Sequence, residues 1–279
     1  MPHPRIKSVV PWYGGKTAMI PLILDKIPPH DLYAEPFAGG AAVFFHKRPV
    51  RYQFLNDKNE ELTNFYKIAS RYPEELIKLI ETTPHAESAY LRAKRIYKGE
   101  TSADEMIRAW ALWMCATGSV VGKLGGGFSW SKSNSGGSMA TRFQSRIKAL
   151  SQAIHKLQQV TILQKDALEV IKCLDRVGAF FFIDPPYPGA DQGHYAGYNM
   201  EDFCHLLEAL SSVEAKFMLT SYDYPELEDA TIKNGWFTEN HNLPLSAARG
   251  KNVKKTRKIE VITTNYPLSF PRTLFSKIS

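Results

Sequence analysis

The chain has 279 residues, 44% of them hydrophobic, and 35 basic against 28 acidic side chains give it a net charge of +7. That length suffices for one large core or a core with a smaller lobe, and the composition excludes a disordered chain. Its apolar runs fall well short of the ~18 residues a membrane span needs, so a cytoplasmic protein with no membrane partner is expected.

Cys115, Cys173 and Cys204 are odd in number and outside any CxxC spacing, which argues against a disulfide framework and against zinc. The eight histidines show no pairing with cysteine or acid, and no metal is expected. The positive charge is clustered: Arg92, Lys94, Arg95 and Lys98 crowd one segment, and Arg249, Lys251, Lys254, Lys255, Arg257 and Lys258 another. Such clusters suit a polyanionic partner.

Taken in chain order, Pro11-Trp12-Tyr13-Gly14-Gly15-Lys16-Thr17 ends in Gly-Lys-Thr but is not a phosphate loop. That motif requires glycine where Val10 stands, and Pro11 interrupts the strand that should precede it. A strand is predicted at Leu32–Glu35, opening into Glu35-Pro36-Phe37-Ala38-Gly39-Gly40. Glycine there lets the backbone approach a ligand at the carboxyl edge of a sheet. The next predicted strand, 53–57, ends in Asp57, ~20 residues past the glycine turn, where an acid can accept both hydroxyls of a ribose. From 60 to 157 the signals are helical, with apolar residues three and four apart over 73–82, 86–98 and 104–115. This interval holds the one low-complexity stretch, 118–137, in which glycine and serine alternate with Lys123, Phe128, Trp130 and Lys132; Arg142 and Arg146 lie on the helix that follows. Further strands are predicted at 160–164, 180–184, 217–221 and 259–265. Strands alternating with amphipathic helices imply an α/β fold with a mostly parallel, Rossmann-like sheet covered on both faces. The division expected is a catalytic domain of 1–59 and 158–279, and a helical insert of 60–157.

The most informative segment is Asp184-Pro185-Pro186-Tyr187, directly after the apolar run 178–183. An exocyclic amino group on a planar base is a poor nucleophile, because its lone pair is delocalised into the ring. An enzyme must draw its protons toward acceptors and hold the ring in line with an electrophile. Asp184 offers a carboxylate and Pro185 a carbonyl, while Pro185 and Pro186 fix the backbone. Tyr187 supplies a face for the base.

These residues resemble the signature of enzymes that methylate adenine N6 or cytosine N4 in DNA, and the order of segments resembles the Dam-like DNA adenine methyltransferases. That order is aromatic-x-Gly-Gly-Lys, Glu-Pro-Phe-x-Gly-Gly, Asp57, an insert and Asp-Pro-Pro-Tyr; Glu260 to Tyr266 resembles the closing strand. The resemblance spans about 9–58 and 160–266. It implies S-adenosylmethionine as cofactor, leaving as S-adenosylhomocysteine, with Trp12, Lys16, Glu35, Pro36, Phe37, Gly39, Asp57, Asp166, Ala167 and Asp184 around it. Lys16 suits the methionine carboxylate, and Asp166-Ala167 the adenine of the cofactor. Catalysis falls to Asp184, Pro185, Pro186 and Tyr187, acting on a base turned out of the stack. Double-stranded DNA is the implied partner, of a monomer encoded by a bacterium or phage. Contacts to it are expected from Lys123, Phe128, Trp130, Lys132, Arg142, Arg146, Arg249, Lys251, Lys254 and Lys255. The insert departs from the enzymes that read GATC: in place of an Asn-Gly-x-x-Arg-Tyr-Asn loop stands Gly118-Ser119-Val120-Val121-Gly122-Lys123. A short or relaxed target is therefore expected. The alternatives are an amino-methyltransferase acting on cytosine N4, RNA or glutamine, and a catalytically silent DNA-binding homologue. Asp184 where glutamine methyltransferases have asparagine disfavours one of these, and the presence of Trp12, Lys16, Asp57 and Asp184 disfavours the silent homologue.

Overall fold

The computed structural model describes residues 9–12, 14–119, 124–130, 138–189, 197–244 and 257–268. Among them, seven strands form one sheet in the order β3-β2-β1-β4-β5-β7-β6. The strands are β1 (Leu32–Glu35), β2 (Tyr52–Asn56), β3 (Thr161–Leu163), β4 (Ala179–Ile183), β5 (Lys216–Tyr222), β6 (Phe237–Pro244) and β7 (Arg257–Thr264). The first five are parallel, and β7 runs antiparallel between β5 and β6. The chain moves outward from β1 to β3, returns to β4 beside β1, and then proceeds the other way. The carboxyl ends of β1 and β4 thus flank a topological switch point, where open α/β sheets bind ligands.

Six strands coincide with the predicted runs to within a residue or two. β6 was not foreseen. Its sequence, Phe-Thr-Glu-Asn-His-Asn-Leu-Pro, lacks apolar alternation because, among the described residues, it is an edge strand paired with β7 alone, a position where proline is tolerated.

β4 shows why the sheet has two cores. All five of its residues are buried. Phe180 and Phe182 join one apolar cluster, with Tyr33, Leu55, Met218 and Ile262. Ala179, Phe181 and Ile183 join the other, with Ala34, Phe217, Leu219 and Val261. The period-two alternation of strand side chains distributes them between the faces. The second face is covered by α8 (Ala167–Leu174), α9 (Met200–Leu210) and α10 (Pro225–Asn234).

The first face is covered by α1 (Ile20–Lys26), α2 (Ala42–His46) and the helices of the predicted insert. These are α3 (Glu60–Arg71), α4 (Pro73–Glu81), α5 (Glu87–Tyr97), α6 (Glu105–Gly118), α7 (Met139–Ala153) and a 3-10 turn at Ile154–Gln159. Asn59 and Asp104 cap α3 and α6 by accepting from the Leu62 and Ile107 amides. Leu62, Phe65 and Ile68 of α3 share one cluster with Val43 and Phe45 of α2 and with Trp113 and Leu112 of α6. The helical interval therefore shares the core of the sheet, and α3 packs on it as a crossover helix does.

Candidate active site

Register along β1 and β4 pairs Ala34 with Phe181. Three residues beyond each stand Phe37 and Asp184, so the glycine turn and the Asp-Pro-Pro-Tyr segment leave the same sheet edge side by side. At Asp184 three side chains from three parts of the chain meet one oxygen. Oδ1 is 2.9 Å from Lys16 Nζ, accepts a hydrogen bond from Thr220 Oγ1 at 2.8 Å, and accepts a weaker one from Tyr187 Oη at 3.2 Å. The Lys16 ammonium also donates to the Gly14 carbonyl at 3.0 Å, lies 3.5 Å from Glu260 on β7, and sits over the Tyr187 ring, 4.7 Å from its centre.

The Lys16 side chain is only 5% exposed. Burial works against its charge, but the attraction of Asp184, then of Tyr187 and Glu260, outweighs it and holds the ammonium protonated well above the usual lysine range. Burial pushes the Tyr187 phenol far up, with Lys16 opposing, so it stays a neutral hydrogen-bond donor. Burial likewise raises Glu260, against the pull of Lys16. Behind Tyr187, Tyr222 meets its ring edge-on at 4.5 Å, and Tyr224 Oη donates to the Pro188 carbonyl at 2.7 Å, bracing the loop after the prolines. Among the described residues nothing donates to the Pro185 carbonyl.

The glycine turn is clamped from both sides. Gly39 donates its amide to Asp57 Oδ2 at 2.9 Å, and its carbonyl accepts from Tyr66 Oη of α3 at 2.5 Å. With φ at +47°, and with Trp12 Cδ1 2.9 Å from where a Cβ would stand, only glycine fits without displacement. Asp57 is buried; its other oxygen accepts from the Asn59 amide at 2.9 Å. Asn56 joins three strand ends: its Nδ2 donates to the Pro36 and Lys165 carbonyls and its Oδ1 accepts from the Lys165 amide. Glu35 points away from solvent: Oε1 accepts from Tyr33 Oη at 2.6 Å and from the Phe44 amide at 2.7 Å. Burial, opposed by those two bonds, pushes its carboxyl up to about 8. Phe37 meets Tyr198 edge-on at 6.1 Å. Asp166 caps α8 through the Leu168 amide and pairs with the exposed Lys58 at 2.7 Å, next to the buried Ala167.

The predicted DNA contacts are divided. Trp130 is 78% exposed, as a side chain that enters a base stack must be. Phe128 instead packs between His85, at 4.9 Å, and Tyr90, at 5.5 Å. Below it, Tyr90 Oη and Lys94 Nζ both donate to the Gly126 carbonyl, anchoring 124–130 on α5. Arg146 is half-buried and donates to the Thr117 carbonyl at 2.7 Å, closing the end of α6, while Arg142 is partly exposed on α7. Lys123, Lys132, Arg249, Lys251, Lys254 and Lys255 lie outside the described residues.

The chemistry brought together is coherent. The ribose diol of S-adenosylmethionine would need an acceptor such as Asp57, its carboxylate a cation such as Lys16, and its adenosyl group apolar neighbours such as Trp12 and Phe37 beside the glycine turn. The residues therefore fit S-adenosylmethionine. Sequence reading missed Thr220, Glu260 and Tyr66. The signal for Thr220 is its place at the carboxyl end of the strand beside β4, which only the strand order reveals.

Comparisons with known proteins identify the family. The Type II methyltransferase M.CviBI of Paramecium bursaria Chlorella virus NC1A is 28% identical over 223 residues, covering 77% of this chain and 82% of that protein. The Type II methyltransferase M1.LlaDCHI of Lactococcus lactis subsp. cremoris is 24% identical over 284 residues, covering 94% and 96%. The DNA N-6-adenine-methyltransferase of Escherichia phage P1 is 40% identical over 75 residues, 26% of this chain and 10% of that protein. The family model for D12 class N6 adenine-specific DNA methyltransferases matches residues 12–245. That span holds the Trp12–Lys16 segment, the clamped glycine turn and Asp184 with its neighbours, and the chain belongs to this family.

Proposed function

We propose that the protein, a DNA adenine N6-methyltransferase by family, acts on an adenine turned out of the duplex and held by Asp184, Pro185 and Tyr187. The observation that carries this is the one-sided environment of Asp184. Three donors converge on Oδ1, and among the described residues none reaches Oδ2. Oδ2 and the Pro185 carbonyl are thus two acceptors on a rigid segment, matching the two protons of an exocyclic amino group. As the N6–carbon bond forms, the nitrogen becomes acidic and one proton leaves along its hydrogen bond. Tyr187 is the aromatic side chain against which the base packs.

Bound S-adenosylmethionine supplies an electrophilic methyl group on a sulfonium, a leaving group that needs no metal. Asp57 accepts from the ribose, Trp12 and Phe37 flank the adenosyl group, Asp166 and Ala167 border its base, and Lys16 faces the methionine carboxylate. Trp130, Arg142 and the basic segments take the duplex as a monomer, with a short or relaxed target. No helix among the described residues is long and apolar enough to cross a membrane.

Asp184→Ala should lower turnover on DNA by about 10²-fold or more, and it should also lower thermal melting because the buried Lys16 loses its main counter-charge, so rates are compared at a temperature where the variant stays folded. Methylation by the variant at close to the normal rate, read with labelled cofactor and mapped to adenines, would refute the assignment.

A further inference from the structure

We propose that Thr220 is a positioning residue for methyl transfer: its hydroxyl fixes the plane of the Asp184 carboxylate so that Oδ2, not Oδ1, meets the adenine amino group. The inference rests on the reading of Asp184 as the N6 acceptor.

Thr220 lies on β5, next to β4. The ladder pairs Ile183 with Leu219, so residues 220 and 184 follow side by side. Thr220 is completely buried. Its single hydroxyl proton has two acceptors in reach, Asp184 Oδ1 at 2.8 Å and the Ile183 carbonyl at 3.4 Å, and the shorter contact takes it.

The other two groups on Oδ1 are less suited to setting its direction. Lys16 carries a long side chain with four torsions, and its ammonium is divided among Gly14, Asp184 and Glu260. Tyr187 belongs to the same short segment as Asp184 and lies at 3.2 Å, so the two move together. Thr220 has one heavy-atom torsion, stiff because the side chain is β-branched, and stands on a strand with neighbours on both sides. Lys16 supplies charge; Thr220 supplies geometry. A carboxylate oxygen has about two lone-pair directions, and the Thr220 and Tyr187 hydroxyls take both on Oδ1 while Lys16 adds charge. Turning the carboxylate plane by a quarter of a rotation would break both hydrogen bonds. This is the support that a site needs to hold a reacting group within a fraction of an ångström.

Thr220→Val removes the hydroxyl at nearly constant volume, Thr220→Ala removes it without leaving a methyl against the carboxylate, and Thr220→Ser keeps it. Single-turnover rates with saturating DNA and cofactor should fall about 10- to 100-fold in both Val and Ala, the scale of a hydrogen bond to a charged group. S-adenosylmethionine and DNA affinities should stay within about twofold, and Ser should restore the rate. A normal rate in Val or Ala would overturn the proposal, as would a Ser variant no faster than Val, since that pattern belongs to packing. Asp184→Ala measured alongside separates the two ideas. If it keeps turnover, the reading of Asp184 fails; if it is inactive while Thr220→Val is normal, only the role of Thr220 fails.

Discussion

Asp57 illustrates how one side chain can serve structure and, in the proposed reading, ligand together. Its carboxylate accepts the Gly39 and Asn59 amides, which fixes both the glycine turn and the start of α3, and a carboxylate has about four acceptor positions in all. Asp57→Ala is therefore expected to act twice. Removing the ribose acceptor should weaken S-adenosylmethionine binding on the order of 10- to 100-fold, the range for a charge-assisted hydrogen bond. The orphaned amides should cost about 1–3 kcal/mol of stability. Isothermal calorimetry at a temperature where the variant is folded separates the effects, and unchanged affinity would move the ribose contact to another residue. Gly39 was identified from its sequence context, but the reason no other residue fits is the Trp12 ring, supplied by a segment far away in sequence.

At the scale of elements, the joint between β1 and α2 depends on a buried acid. Glu35 accepts the Tyr33 hydroxyl and the Phe44 amide, and burial, working against those bonds, sets its carboxyl at about 8. In the unfolded chain a glutamate ionises near 4.3. Between those values the unfolded state loses the proton while the folded state keeps it, so stability falls as pH rises from about 4.5 to about 8, by a few kcal/mol in all. Glutamine can accept the same two bonds and cannot ionise. Glu35→Gln should thus gain on the wild type steadily over that interval. Lys47 is lowered by burial to about 8 with Glu35 opposing, so Glu35→Gln lowers it further, and the interval from pH 5 to 6.5, where Lys47 contributes least, carries the test. Urea melts at pH 5, 6.5 and 8 test this; a gap independent of pH would show that Glu35 titrates normally. The same joint explains why Glu35, expected beside the cofactor, was only partly readable: the motif locates it at a strand end, and packing turns its Oε1 inward.

For the whole molecule, the net charge of +7 acts on DNA through counterion release. Lys123 and Lys132 belong to a glycine- and serine-rich stretch with few side chains able to make paired contacts to base edges. Replacing both by alanine should weaken binding by a similar factor for all sequences and reduce the salt slope by roughly 2, about 0.9 for each phosphate no longer neutralised. Affinity measured across salt concentrations on several duplexes tests this, and a weakening confined to one sequence would make them base readers. Arg146 was equally plausible from sequence as a reader, yet its guanidinium is drawn to the Thr117 carbonyl. A basic residue on a helix can serve either role, and helix packing chooses.

What the sequence by itself determined was local. Asp-Pro-Pro-Tyr after an apolar run, the glycine turn, and an acid ending the next strand each follow from neighbours along the chain, because strand periodicity and backbone restrictions act over a few residues. The tertiary structure decided what converges from a distance. Thr220 at Asp184 Oδ1, Glu260 near Lys16, and Tyr66 on the Gly39 carbonyl are separated from their partners by tens to hundreds of positions and meet because the strand order places their elements together. β6 belongs to the same class: an edge strand is stabilised by its neighbour's backbone, and backbone pairing leaves little mark on side-chain pattern.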